Sequence, residues 1–88
     1  MASVVLKLGF EEEVVDVENP EVLIQKIIEF ARGHGLSKFT VDAEVISEAE
    51  EEGEEPTTEI EYDVSQEFIR ENFEKIKKVI IRPLNEAK

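Results

Sequence analysis

The chain has 88 residues, which is room for one domain with a thin core. Twenty-two Asp and Glu stand against ten Lys and Arg, giving a formal net charge of −12 that argues against direct binding to phosphate backbones or anionic membranes. There is no cysteine, which excludes disulfides and thiolate chemistry, and 41% of the residues are hydrophobic, too many for a disordered tail. The opening MASVVLKLGF lacks the basic start and apolar run of a secretory signal, and no segment approaches the ~20 apolar residues of a membrane span. A cytoplasmic location is the expectation.

Residues 3–8 are β-branched and apolar, with Val4, Leu6 and Leu8 on one face. Gly9 supplies a turn, and residues 12–18 resume a strand with Val15 and Val17 inward, so the first two strands form a hairpin. Asn19-Pro20 reads as a helix start, because Asn caps free backbone N–H groups and Pro suits the first helical position. Leu23, Ile24, Ile27, Ile28 and Ala31 recur at spacings of three and four, and Arg32 with Gly33 marks the stop, predicting a helix over about 20–32.

Phe39, Val41, Ala43 and Val45 alternate with Thr40, Asp42 and Glu44 as in a half-buried strand. The stretch 47–58 carries six glutamates whose mutual repulsion predicts a mobile loop. Alternation returns at Ile60, Tyr62 and Val64 against Glu59, Glu61 and Asp63, so these two strands pair across the acidic loop. Asp63 or Ser65 caps a second helix with Phe68, Ile69, Phe73 and Ile76 as its apolar stripe. The chain then turns over Lys77-Lys78 into a short buried strand, Val79-Ile80-Ile81, stopped by Pro83.

The expected fold is a single α+β domain in the order β-β-α-β-β-α-β. That order resembles the ubiquitin-like β-grasp family, most closely over residues 3–35, SVVLKLGFEEEVVDVENPEVLIQKIIEFARGHG. The resemblance implies a mixed sheet packed on one main helix. Ubiquitin and its sulfur-carrier relatives end in Gly-Gly, whereas this chain ends Leu84-Asn85-Glu86-Ala87-Lys88, so their carboxylate transfer is not expected here. Another β-grasp group pairs a first-strand lysine, a place Lys7 occupies, with a compact acidic motif that is not recognisable in this sequence. The alternative architecture is a ferredoxin-like sandwich with an extra N-terminal strand; the two differ in whether the first and last strands are neighbours.

No catalytic, metal or cofactor site is expected. His34, between two glycines, has no second His or Cys to share a metal and reads as an exposed turn residue at a helix end. The glutamates at 48, 50, 51, 52, 54 and 55 run consecutively, without the alternating spacing of a calcium loop. Phosphate-binding glycine loops and nucleophile motifs are missing too, so enzymatic activity is not expected.

Lys75, Lys77, Lys78 and Arg82 form a basic cluster that complements a helix end or meets the acidic loop of a second copy, so a monomer or weak self-association is expected. Asp42, Glu44, Glu59, Glu61 and Asp63 are expected to share an outward face beside the acidic loop. The leading function is therefore a non-catalytic interaction module for a basic protein partner, with Glu44, Glu50, Glu51, Glu52, Glu54, Glu55, Glu59 and Glu61 as its contact residues. The alternatives are an inhibitor of a DNA- or RNA-handling enzyme that mimics nucleic acid, and a designed scaffold without a natural role.

Overall fold

The computed structural model describes residues 2–47 and 52–84. Strands β1 (Ala2–Leu8) and β2 (Glu11–Val17) are joined by the two-residue loop Gly9-Phe10. Gly9 sits at φ 61°, the positive value that such a hairpin needs at its first loop position and that a side chain resists.

Helix α1 (Pro20–Gly33) begins as the Asn-Pro pair dictates: the Asn19 side chain accepts from the Val22 amide at 3.0 Å. It ends one residue later than the sequence suggests. Gly35, rather than Gly33, takes the left-handed position at φ 83°. The Gly35 amide then donates to the Arg32 carbonyl and the Leu36 amide to the Ala31 carbonyl, which satisfies two carbonyls at the helix end.

Strands β3 (Phe39–Ser47) and β4 (Thr57–Glu61) form the second hairpin. Of the expected acidic loop, Glu48, Glu50 and Glu51 lie outside the described residues, and Glu52, Glu54 and Glu55 are exposed. Helix α2 (Gln66–Asn72) is capped by Ser65, whose hydroxyl accepts from the Phe68 amide at 3.0 Å. Asp63 instead bends the chain at φ 51°, a left-handed value that Asp tolerates better than most residues. A 3₁₀ turn at Phe73–Lys75 leads into β5 (Ile76–Pro83).

The structure corrects the expected start of β5: Ile76 and both lysines belong to the strand, not to a helix and a turn. Ile76 and Val79 are both buried, three residues apart, which a regular strand with a period of two cannot achieve. A bulge resolves this. Glu44 pairs with Lys78 and Val45 with Ile76, so Lys77 is the extra residue that resets the alternation.

The five strands form one sheet in the order β2-β1-β5-β3-β4, with β1 and β5 adjacent and parallel. One face packs on α1 and α2, where Val4, Leu6, Val17, Leu23, Ile27, Val79 and Ile81 build the core. Fully burying each such side chain contributes roughly 1.5–3 kcal/mol. Among the described residues no helix is long and apolar enough to cross a membrane.

Candidate interaction surface

Two helices on one side leave the other side of the sheet uncovered. Cross-strand pairing fixes what stands there, since partners opposite each other share a face. Val5 pairs with Val14 on β2 and with Lys78 on β5. Lys78 pairs with Glu44, and Glu44 with Ile60. The open face therefore carries the row Val14, Val5, Lys78, Glu44, Ile60. A second row runs Glu12, Lys7, Ile80, Asp42.

Among the described residues the exposed large hydrophobics are Phe10, Val14, Ile60, Tyr62 and Leu84. Val14 and Ile60 stand on the open face, 66% and 43% exposed. Tyr62, 66% exposed, and Leu84 continue the same alternation just past the ends of β4 and β5, and Phe10 stands at the tip of the first hairpin. Half-buried Val5, Ile80 and Ile46 stand on the same face. The exposed apolar residues stand in separate groups on this face: Val14 and Ile60 lie on the two edge strands, with Lys78 and Glu44 between them.

The cations on this face are largely neutralised within the chain. Lys78 lies 3.9 Å from the Glu12 carboxylate, and Arg82 Nε lies 3.0 Å from that of Asp42. Asp42 is only 3% exposed and also accepts from the Asp63 amide at 2.9 Å. Lys7 has no ion-pair partner among the described residues. The expected basic cluster is thus dispersed: Lys78 and Arg82 point to the open face, while Lys75 closes the 3₁₀ turn.

The shared acidic face expected from the sequence is corrected as well. Asp42 and Glu44 belong to the open face, but Glu59 pairs with Val45 and Glu61 with Ala43, on the side of the helices. Two carboxylate sets on β3 and β4 therefore point to opposite sides, and Asp42 is sequestered by Arg82 and Asp63. The reason is register. Alternation shows which residues of β4 share a side, but only its pairing with β3 decides which side looks outward.

Glu44 is the expected contact residue that lies on the open face, between Lys78 and Ile60. Glu52, Glu54 and Glu55 flank one end of the β3–β4 hairpin, and Glu50 and Glu51 lie outside the described residues. Sequence reasoning missed Val14, Val5 and Ile80. A signal was present: in Val4-Val5, Val14-Val15 and Ile80-Ile81, consecutive apolar residues in a strand must face opposite ways.

His34 follows the last residue of α1 and is exposed, its ring meeting that of Phe30 edge-on at 4.6 Å. Among the described residues no three His, Asp or Glu side chains gather as metal ligands. No protein-family model, curated protein or solved structure matches the chain.

Proposed function

We propose that this chain is a non-catalytic protein-interaction module of ubiquitin-like β-grasp architecture that docks its partner on the uncovered sheet face. The architectural reading rests on the neighbouring, parallel β1 and β5 and on a main helix laid across one face only. The observation that carries the functional reading is the exposure of Val14, Ile60 and Tyr62 on that face. Solvent-facing strand positions in a small monomer are ordinarily polar, so several large apolar side chains exposed on one face offer anchors for another surface.

Charge gives the partner its character. The same face carries Glu12, Asp16 and Glu44 and has Glu52, Glu54 and Glu55 of the β3–β4 loop at one end, so a partner with apolar anchors and basic groups fits it best. The acids then steer the encounter, and Val14 at one edge of the sheet and Ile60 and Tyr62 at the other supply apolar anchors.

Affinity capture at low and high salt, with wild-type protein beside a Val14→Ser/Ile60→Ser/Tyr62→Ser variant, tests the reading. A basic protein held by wild type and released by the triple substitution is the expected result. Equal retention by both proteins, or retention that depends on salt alone, would count against the open face.

A further inference from the structure

The helix side of the molecule holds a cleft unrelated to the open face. It lies between α1, the start of β3 and the bend leading into α2, with a volume of about 280 Å³. Ile24, Ile28, Phe39, Val41, Val64 and Ile69 form its apolar body, and its polar lining is Arg32, Ser37 and Gln66. In a chain with twenty-two acidic residues, no Asp or Glu lines it among the described residues.

The polar lining consists of groups able to donate. Arg32 is exposed in the last turn of α1 and has no ion-pair partner among the described residues, unlike Arg70, held by Glu21, and Arg82, held by Asp42. The Gln66 side-chain oxygen accepts from Arg70 at 3.3 Å, which leaves its NH₂ group as a donor. Ser37 adds a hydroxyl. The last-turn carbonyls of Phe30, Ala31 and Arg32, which would repel an anion, already accept from the amides of residues 34–36.

We propose that this cleft is a binding site for a small monocarboxylic acid with a compact apolar body, its carboxylate paired with Arg32. Size sets the limit: 280 Å³ lies at the lower edge of the roughly 300–1,000 Å³ of small-molecule sites, which suits a branched or aromatic acid and excludes a long lipid. Charge sets the sign. An unpaired guanidinium at an apolar, acid-free cleft favours an anion, and its planar fork matches a carboxylate. The site is independent of the open sheet face, and neither reading needs the other.

The test is a titration of ¹⁵N-labelled protein with 3-phenylpropionate, with its neutral amide and with 3-phenylpropylamine, followed by amide chemical shifts at neutral pH. Saturable shifts centred on Ile28, Arg32, Phe39, Val41 and Val64 are expected. The acid should bind about tenfold more tightly than the amide, in line with a charge-assisted hydrogen bond, and the amine least. Arg32→Gln, at an exposed position, should bring the acid down to the affinity of the amide. Equal binding of acid and amide by the wild type overturns the proposal without any variant. So do shifts located elsewhere, an Arg32→Gln protein that binds the acid unchanged, or no saturable shift up to about 10 mM.

Discussion

Arg82 reaches diagonally from β5 to Asp42 on β3, placing Nε 3.0 Å from one carboxylate oxygen and a terminal nitrogen 3.4 Å from the other. The second oxygen also accepts the Asp63 amide, at the residue whose left-handed backbone bends the chain out of β4. One buried carboxylate thus ties the last strand, the third strand and the bend before α2 together. It does so on the face without helices, where no apolar cover substitutes for those contacts.

Removing it should loosen all three. Asp42→Ala gives up two charge-assisted contacts but also the cost of desolvating a carboxylate, so a net loss of about 2 kcal/mol is expected in denaturant unfolding. Asp42→Asn retains an acceptor for the Asp63 amide and should lose about 1 kcal/mol. Arg82→Ala leaves the buried charge behind and should be at least as damaging as Asp42→Ala. The double variant should then be less destabilised than the two single losses together, and strict additivity would show that the pair is not coupled.

A second tie joins the helices: Arg70 of α2 binds Glu21 in the first turn of α1. The hydrogen bond from Arg70 holds the Glu21 carboxyl below its ordinary value of 4.5; desolvation pushes it back up by less, and the opposite charge of Arg70 adds a still smaller downward pull. A folded-state value below the unfolded one means that the contribution is complete above the unfolded pKa and is lost as pH falls through the folded one. Both side chains are largely in water, so the effect is small and screened by salt. The melting temperature of Arg70→Ala should lie slightly below that of wild type at neutral pH. The two should converge as pH falls through the lowered value of Glu21, and they should also converge in strong salt. A gap that persists in acid would assign the loss to packing of the Arg70 stem rather than to the ion pair.

Local signals fixed much of this fold, and they failed where distant residues decide. Asn19, Pro20 and Ser65 announce their helix starts because a cap acts on amides only two or three residues away. Val4, Leu6, Val15 and Val17 announce the first hairpin by alternation alone. The side on which Ile60 and Tyr62 stand depends on pairing with β3 across the intervening loop, and the start of β5 is masked by the bulge at Lys77. Asp42 has the outward parity that its place in the strand suggests. Its burial comes from a partner forty residues later, which no local pattern contains. Acid content drew attention to the loop, whereas the open face takes its apolar residues from all five strands, which only the sheet order brings together.

The open face should prove dispensable for folding. Val14→Ser, Ile60→Ser and Tyr62→Ser remove side chains that already meet water, and each should shift stability by no more than about 0.5 kcal/mol. Leu23→Ala, at a fully buried position of α1, should cost about 2–5 kcal/mol. Urea unfolding of the four variants checks the contrast. If the open-face substitutions approached the cost of Leu23→Ala, these side chains would belong to the fold rather than to a partner.

Two glycines at the end of α1 should respond to alanine with opposite signs. A Cβ on either would meet nothing within 4 Å, so sterics against the rest of the molecule do not distinguish them. Backbone conformation does. Gly33 is the last helical residue and its φ is not positive; alanine there lowers the entropy of the unfolded chain and favours the helix, worth up to about 1 kcal/mol of added stability. Gly35 sits at φ 83°, where a Cβ crowds the following carbonyl, so Gly35→Ala should cost about 1–2 kcal/mol. It should also weaken the amide bonds from Gly35 and Leu36 that close the helix end beside Arg32. Thermal unfolding of the two variants reads the signs directly, and hydrogen exchange at Gly35 and Leu36 should accelerate in Gly35→Ala alone. A destabilised Gly33→Ala would mean that the left-handed turn begins at Gly33, as the sequence first suggests, and not at Gly35.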